Sequence, residues 1–347
     1  MTSERRPVEL GYRWPAEWES HTATWVAWPH NQATWPKRYD KIPTLFAAFV
    51  RTLAEFEPVH LLAGGPESCA AATAMFRGEA AVKIFEIETN DAWTRDYGPT
   101  FLLGDDVAII DWGYNAWGGK YPPWDQDDQV PQQIAEELLL PRFVGGLTLE
   151  GGAIDGNGQG TLLTTTSCLL NTNRNPSVSR EMIEQIFASD LGATEVIWLA
   201  GGGIAGDDTD GHVDQLARFV NAQTVVCAVS QDRHDEQYEP LQQNAERLRA
   251  LVGEASVVET VVDLPVPSPR YFEEQRIPAS YCNFYVANGL VIVPQFDDPA
   301  DDTACQRLQE LFPGRAIRGL PSTDLSWGLG SFHCLTQQQP QLLVHRT

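Results

Sequence analysis

Apolar residues in this chain recur at two spacings, and the balance between the two limits the folds open to it. Over residues 45–56, 134–140, 182–187, 241–251 and 304–312 they return every three or four positions, which gives a helix one buried stripe. Pro141 closes the second of these segments and Pro313-Gly314 the last. Strand-like runs outnumber them: 59–63, 82–87, 107–112, 161–166, 196–199, 213–220, 224–229, 256–264, 281–287 and 290–296, with a further strand expected at 100–103. Asn288-Gly289 predicts a two-residue hairpin, since both residues tolerate positive φ, and Asn157-Gly158 reads as a similar turn. This is a strand-rich α/β chain with roughly one helix for every two or three strands. Strict βαβ alternation, and with it a Rossmann sheet, is disfavoured. Repeated small ββαβ-like units fit better, although no internal sequence repeat is visible. No linker or low-complexity tract interrupts the pattern, so one domain over residues 1–347 is expected.

Of the 347 residues 43% are hydrophobic, enough for a sizeable core, and 11 tryptophans mark a folded body. The formal net charge is −23. Phosphate recognition needs a basic face, so general nucleic-acid binding is excluded. An acidic cleft concentrates cations, although an acid excess also serves solubility alone. The six cysteines, Cys69, Cys168, Cys227, Cys282, Cys305 and Cys334, are widely spaced and include no C-x-x-C pair. That points away from a zinc knuckle, a dithiol redox motif and a disulfide framework. Cys168, Cys227 and Cys282 lie in strand-like surroundings and read as inert apolar fillers. The opening residues lack the apolar segment of a secretory signal, and no run approaches the roughly 18 apolar residues of a membrane span. A soluble cytoplasmic protein, with neither membrane nor nucleic acid as partner, is expected.

Cys334 stands in Gly330-Ser331-Phe332-His333-Cys334-Leu335-Thr336-Gln337-Gln338-Gln339-Pro340, which is not the setting of a core thiol. His212 and Asp214 follow a polar, Gly-containing loop into an expected strand. Residues i and i+2 of a strand share a face, so both would point into one space. A carboxylate there can raise and orient an imidazole for acid–base work, and a structural His–Asp pair would look the same. Asp96, in Trp93-Thr94-Arg95-Asp96 ahead of Gly98-Pro99, sits at a strand mouth suited to gripping a cation. Trp93 reads either as a cation–π wall or as core. Glu150 precedes Gly151-Gly152, glycines that let backbone approach a site or make a bend. Residues 155–160 fail as a calcium loop, because Thr166 stands where a bidentate Glu is required. His333 adjoins Cys334; on one extended segment the two would face opposite ways, which leaves the distant His212 as the better partner for the thiol. Thiol, imidazole and carboxylates together suit covalent chemistry on a cationic substrate.

In their order, these segments resemble the agmatine deiminase and bacterial, Porphyromonas-type peptidyl-arginine deiminase family nearly end to end. Pro15-Ala16-Glu17-Trp18-Glu19-Ser20-His21 is similar to its opening segment, and residues 90–100 to its substrate-gripping motif. Asn115-Ala116-Trp117-Gly118-Gly119-Lys120-Tyr121, Glu150-Gly151-Gly152, Arg174-Asn175-Pro176, residues 208–214 and residues 333–340 follow in the family's sequence. The resemblance implies the pentein fold, a five-bladed α/β propeller of ββαβ modules around a pseudo-fivefold axis with the site at its centre. It implies Cys334 as nucleophile, His212 as general acid and base, Glu150 as the residue orienting it, and Asp96 with Asp214 as clamps on a guanidinium. Trp93, Trp117 and Asp208 are its further substrate contacts; it implies no metal and no cofactor, and a homo-oligomer is compatible with it. The physics agrees: two carboxylates can hold guanidinium N–H groups and keep the group charged, which exposes its carbon to attack, and the cation favours a neighbouring thiolate. Some members carry Gly-Gly-Gly-Asn before the His-Cys pair where this chain has Gly328-Leu329-Gly330-Ser331. The expected substrate is therefore a small guanidine, agmatine first and peptidyl-arginine second. From other classes, a metal-dependent hydrolase on His212, Asp214, Asp208 and Asp210 and a polyamine-binding protein remain open.

Overall fold

One strand plan recurs in five of the six sheets among the described residues: an antiparallel pair, a helix-bearing crossover, then a strand parallel to the second. The structure, a computed structural model, describes residues 5–254 and 256–342. In the first sheet Gln337–Pro340 runs antiparallel to His21–Ala27, helix Ile42–Ala54 crosses over, and Val59–Leu62 follows parallel. Helix Pro66–Met75 then adds Val82–Phe85 to its edge. The second sheet is Thr100–Leu103, Val107–Gly113 and Arg142–Thr148, crossed by helix Val130–Leu138. The third is Ile154–Gly156, Thr161–Thr165 and Glu195–Leu199, crossed by Arg180–Leu191. Ala217–Phe219, Thr224–Val229 and Thr260–Pro265 make the fourth with helix Tyr238–Arg249. Tyr285–Ala287, Leu290–Gln295 and Ala316–Pro321 make the fifth with Ala300–Leu311. The ββαβ reading of the periodicity thus holds, and the fold is mixed α/β.

Burial explains which elements the periodicity exposed. The middle strands Val107–Gly113, Thr161–Thr165 and Leu290–Gln295 are covered on both faces, so they read as continuous apolar runs. The third strands Arg142–Thr148 and Ala316–Pro321 are largely open to solvent and carry no such signal. Helix Ile42–Ala54 buries Phe46, Phe49, Val50 and Leu53, each such side chain contributing about 1.5–3 kcal/mol. Helix Arg180–Leu191 is delimited chemically: Ser179 Oγ accepts from the Met182 amide at 3.3 Å, and Gly192 closes it at φ 77°. Helix Pro66–Met75 buries just Ala72 and went unread.

Two turn expectations resolve differently. Ala287 pairs with Leu290 across Asn288-Gly289, but only Gly289 takes positive φ, at 68°. Asn288 is fixed instead by its side chain, which donates to the His21 carbonyl at 2.8 Å and accepts from the His21 amide at 3.0 Å. Gly156 pairs with Leu162, so Asn157-Gly158 belongs to a longer loop, with Asn157 Oδ1 accepting from the Gln159 and Thr161 amides. Among the described residues no helix is long and apolar enough to cross a membrane.

Candidate active site

Each of the five sheets is preceded by a residue that enters one cage. Asp96 lies ahead of Thr100–Leu103, Glu150 ahead of Ile154–Gly156, Asp214 ahead of Ala217–Phe219, Asn283 ahead of Tyr285–Ala287 and Cys334 ahead of Gln337–Pro340. Tight turns aim these side chains: an α turn at Thr94–Tyr97 and 3-10 turns at Gly151–Ala153, Val213–Gln215 and Tyr281–Asn283. The expected continuous strands over 213–220 and 281–287 are therefore corrected. His212 and Asp214 do converge, but through a 3-10 turn rather than strand alternation. Likewise His333 and Cys334 sit in a turn, not on an extended segment.

Gly152 marks where the carboxylates and the imidazole meet. Its amide donates to Asp96 Oδ1 at 3.0 Å. A Cβ built there would lie 2.6 Å from His212 Nδ1, 2.7 Å from Asp96 Oδ1 and 3.1 Å from Asp214 Oδ2. His212 Nδ1 is 3.6 Å from Asp96 Oδ1, and Nε2 faces Glu150 Oε2 at 3.8 Å. Both ring nitrogens, Glu150 Oε2 and Asp214 Oδ1 are buried without a hydrogen-bond partner. Arg174 Nε anchors Glu150 Oε1 at 2.8 Å, and Trp117 Nε1 donates to Asp96 Oδ2 at 2.9 Å. Trp117 achieves this from a left-handed backbone at φ 56°, a conformation costly for a bulky residue and held by its surroundings.

Cys334 Sγ lies 3.5 Å from Asp214 Oδ2 and 3.2 Å from Asn283 Nδ2, and the Cys334 amide is 3.4 Å from Asn283 Oδ1. Burial, then Asp214 and Asp96, hold the thiol well above its usual value, so it carries its proton until a cation arrives. Burial would push the His212 imidazole down; Asp96, Cys168 and Glu150 override it and hold it well above its ordinary value. Burial pushes Asp96 up to about 6, Asp214 and Glu150 adding to the effect and His212 opposing it. Glu150 and Asp214 are driven up by burial too, yet His212 with Arg174 and His333 with His212 bring them below the usual carboxylate range. Asp96 and Asp214, with Asp214 Oδ1 unpartnered, give the cage acceptors for a cationic ligand.

A cavity of about 810 Å³ opens onto this cage. Cys334, Asp96, Trp93, Trp117 and Asp208 line it, whereas His212, Glu150 and Asp214 stand outside its lining, buried. Trp93 is both wall and core: it is buried, stacks on Trp35 at 5.5 Å, and is closely approached by Gly328 and Gly330. Asp208 lies further out, accepting from Tyr121. Asp210 is drawn away by Arg174 and by Lys120, the latter at 3.0 Å. The metal-hydrolase set of His212, Asp214, Asp208 and Asp210 is therefore not gathered around one point. The cluster with ligand atoms within 4.8 Å of one another is Glu150, Cys168 and His212, among the described residues.

Sequence reasoning missed four residues. Cys168, read as filler, abuts the His212 imidazole. Burial pushes the Cys227 thiol up to about 12 and the Cys282 thiol higher still. Asn283 was hidden in an apolar run. Glu17 sits in the opening segment, yet binds Arg218 at 2.7 Å and His333 at 2.9 Å in the interior. Arg95, next to Asp96 in sequence, points the other way to Gln337 at 2.6 Å and Gln338 at 2.8 Å.

The fold is shared with dimethylarginine dimethylaminohydrolase, which superposes with a TM-score of 0.51 at 12% identity, over 92% of this chain and 99% of that one. Residues 13–340 match the model of the Porphyromonas-type peptidyl-arginine deiminases, and the chain belongs to that family. The agmatine deiminase of Stutzerimonas stutzeri strain A1501 is 37% identical over 97% of this chain and 98% of its own length. A solved agmatine deiminase of Enterococcus faecalis superposes with a TM-score of 0.91 at 32% identity, over 98% of each chain.

Proposed function

We propose that the protein hydrolyses agmatine to N-carbamoylputrescine and ammonia through a covalent intermediate on Cys334. The observation that carries this reading is the Gly152 notch, where Asp96, Asp214 and His212 come within contact distance of one point, with Asp214 Oδ2 itself 3.5 Å from the Cys334 sulfur. Asp96 and Asp214 accept the guanidinium N–H groups and hold the cation; that charge relieves the repulsion keeping the thiol protonated, and the thiol proton passes to solvent through the cavity that Cys334 lines. The thiolate attacks the guanidinium carbon, forming a C–S bond and a tetrahedral adduct. Protonated His212 gives its proton to the departing nitrogen, the C–N bond breaks, and ammonia leaves a thiouronium on Cys334. His212, now neutral, takes a proton from water; the oxygen attacks the same carbon, the C–S bond breaks, and the ureido product departs with the thiol restored. Glu150, anchored by Arg174, holds the ring from behind. The chemistry as drawn uses neither metal nor cofactor.

The cavity's outer part supports agmatine over arginine. Asp91 and Asp208 line it, and Lys120, the lysine in its wall, is already engaged by Asp208 and Asp210. An aminium tail meets carboxylates there, while the α-carboxylate of arginine would be repelled. Two curated relatives at 37% and 38% identity are named agmatine deiminases. An ammonia-release screen across agmatine, arginine, peptidyl-arginine and methylated guanidines tests the reading: agmatine is expected to give the highest kcat/KM, and a preference for peptidyl-arginine or no turnover of any guanidine would overturn it.

The same proposal takes the five like sheets as blades around a pseudo-fivefold axis within a single domain. The five equivalent side chains reaching one cage support this, as does the C-terminal strand Gln337–Pro340 completing the sheet of His21–Ala27. A cytoplasmic location is supported by six cysteines without a disulfide among them, and cell fractionation tests it.

A further inference from the structure

His333 is doubly engaged. Its Nδ1 lies 2.8 Å from Asp214 Oδ2 and its Nε2 2.9 Å from Glu17 Oε2, with the ring buried. Ionised carboxylates accept and cannot donate, so a ring that satisfies both donates from both nitrogens. Glu17 is pinned in turn: Arg218 donates to Oε2 at 2.7 Å, Arg95 approaches it at 3.5 Å, and the Val286 amide donates to Oε1 at 2.8 Å. Burial opposes the Glu17 charge, but Arg218, His333 and Arg95 hold its carboxyl well below the usual range. The chain of contacts runs from the opening segment through His333 to Asp214, whose Oδ2 also accepts from Asn283 at 3.0 Å and lies 3.5 Å from Cys334 Sγ. Asp214 Oδ1 is left buried with no partner.

We propose that Glu17 and His333 are positioning residues for the deimination: fixed by Glu17, the His333 ring occupies Asp214 Oδ2, leaves Oδ1 for the substrate guanidinium, and offsets the Asp214 charge beside the Cys334 sulfur. This rests on the deiminase reading above. It assigns His333, beside the nucleophile in sequence, a role other than that of its base. A bare Asp214 would oppose the thiolate more strongly and be free to turn; a bridged Asp214 is fixed and opposes it less.

His333→Asn keeps an N–H near the Nδ1 position but removes the charge and the reach to Glu17, and Glu17→Gln keeps the shape and removes the anion. Two measurements apply to both. The first is steady-state kinetics on agmatine. The second is the pH dependence of Cys334 alkylation by iodoacetamide, read by mass spectrometry on the Cys334 peptide. The charged or titratable groups facing His333 are Asp214, Glu17, Arg95 through the His333 carbonyl, and Arg218 beyond Glu17. Those facing Cys334 are Asp214, Asp96 and the adjacent His333. In His333→Asn the alkylation midpoint is expected to move up by about one pH unit or more, because the cation beside Asp214 is gone. Its kcat/KM is expected to fall about 30-fold, through KM as well as kcat, the loss of a charge-assisted contact. Glu17→Gln moves both quantities the same way by less. Wild-type alkylation profiles in both variants, each shown folded by circular dichroism, would overturn the proposal. So would His333→Asn kinetics within about threefold of wild type. If His333→Asn does not fold, Glu17→Gln decides on the same criteria. Alkylation needs no substrate, so a wild-type enzyme inert toward agmatine would sink the proposed reaction while the role of Glu17 and His333 was still decided.

Discussion

The Gly152 amide donates to Asp96 Oδ1 at 3.0 Å, and the space where a side chain would stand is bounded by His212 Nδ1 and Asp214 Oδ2. Gly152 is absent from the positive-φ glycines, so the requirement is for space rather than for backbone freedom. Gly152→Ala would place a methyl 2.6 Å from His212 Nδ1 and 2.7 Å from Asp96 Oδ1. Misplacing such groups by an ångström costs about 100-fold in rate, and overpacking about 1–3 kcal/mol in stability. The variant should therefore melt lower and lose at least that much kcat/KM. Wild-type turnover on agmatine would mean that the notch is not where the reacting groups meet.

Cys334→Ala removes the attacking atom and leaves Asp96 and Asp214 in place. Calorimetry should still register agmatine binding while ammonia release falls to background. Rapid acid quench of the wild type during turnover should yield a Cys334 peptide heavier by the amidino adduct. Near-normal turnover in the alanine variant would eliminate the covalent route.

The Asp96 carboxyl, pushed up to about 6 by burial, sets a pH limb. Below that pH it is neutral and cannot pair with a guanidinium; above it the anion is present, so kcat/KM should rise as pH passes through about 6. Asp96→Asn should raise KM steeply, through loss of a charged hydrogen bond worth about 1.5–3 kcal/mol, and should abolish that limb. A limb that survives unchanged in Asp96→Asn belongs to another group. Stability responds in the opposite sense. An Asp whose folded value lies above its ordinary 3.8 is protonated in the native state while already ionised in the unfolded chain, so its contribution declines as pH rises from about 4 to about 6.

What the sequence revealed follows from what burial does to composition. Strand Thr224–Val229 is covered over nearly all its length and was read to the residue, because a doubly buried strand must be a continuous apolar run. Arg142–Thr148 and Ala316–Pro321, half open to solvent, left no such trace. Cys334 and the carboxylates were legible because polar residues beside glycines are out of place in a core. Their spacing from the following strand was not: Asp96, Glu150, Asp214, Asn283 and Cys334 occupy equivalent positions ahead of five sheets, but the five segments share no residue pattern. The His333–Asp214–Glu17 contacts join residues more than a hundred positions apart, which neither periodicity nor motif spacing reports.

Asn283 is the member of that set that does not titrate, and its contacts suggest what it contributes. Nδ2 donates toward Cys334 Sγ at 3.2 Å and toward Asp214 Oδ2 at 3.0 Å, from a fully buried position. A thiolate formed at Cys334 gains an N–H donor that the thiol needs less, so the contact favours the thiolate before attack and again as the C–S bond breaks. Asn283→Ala removes it and leaves buried Asp214 short of a partner, a loss of about 1–3 kcal/mol. The expected result at saturating agmatine is a rate of Cys334 adduct formation lower by about 10- to 100-fold, with hydrolysis of a preformed adduct slowed as well. Asn283→Asp should be worse, since it sets a third carboxylate against the sulfur beside Asp214 and Asp96. Rapid-quench mass spectrometry separates the two steps. If adduct formation in Asn283→Ala keeps the wild-type rate, Asn283 serves the Tyr281–Asn283 turn and not the thiolate.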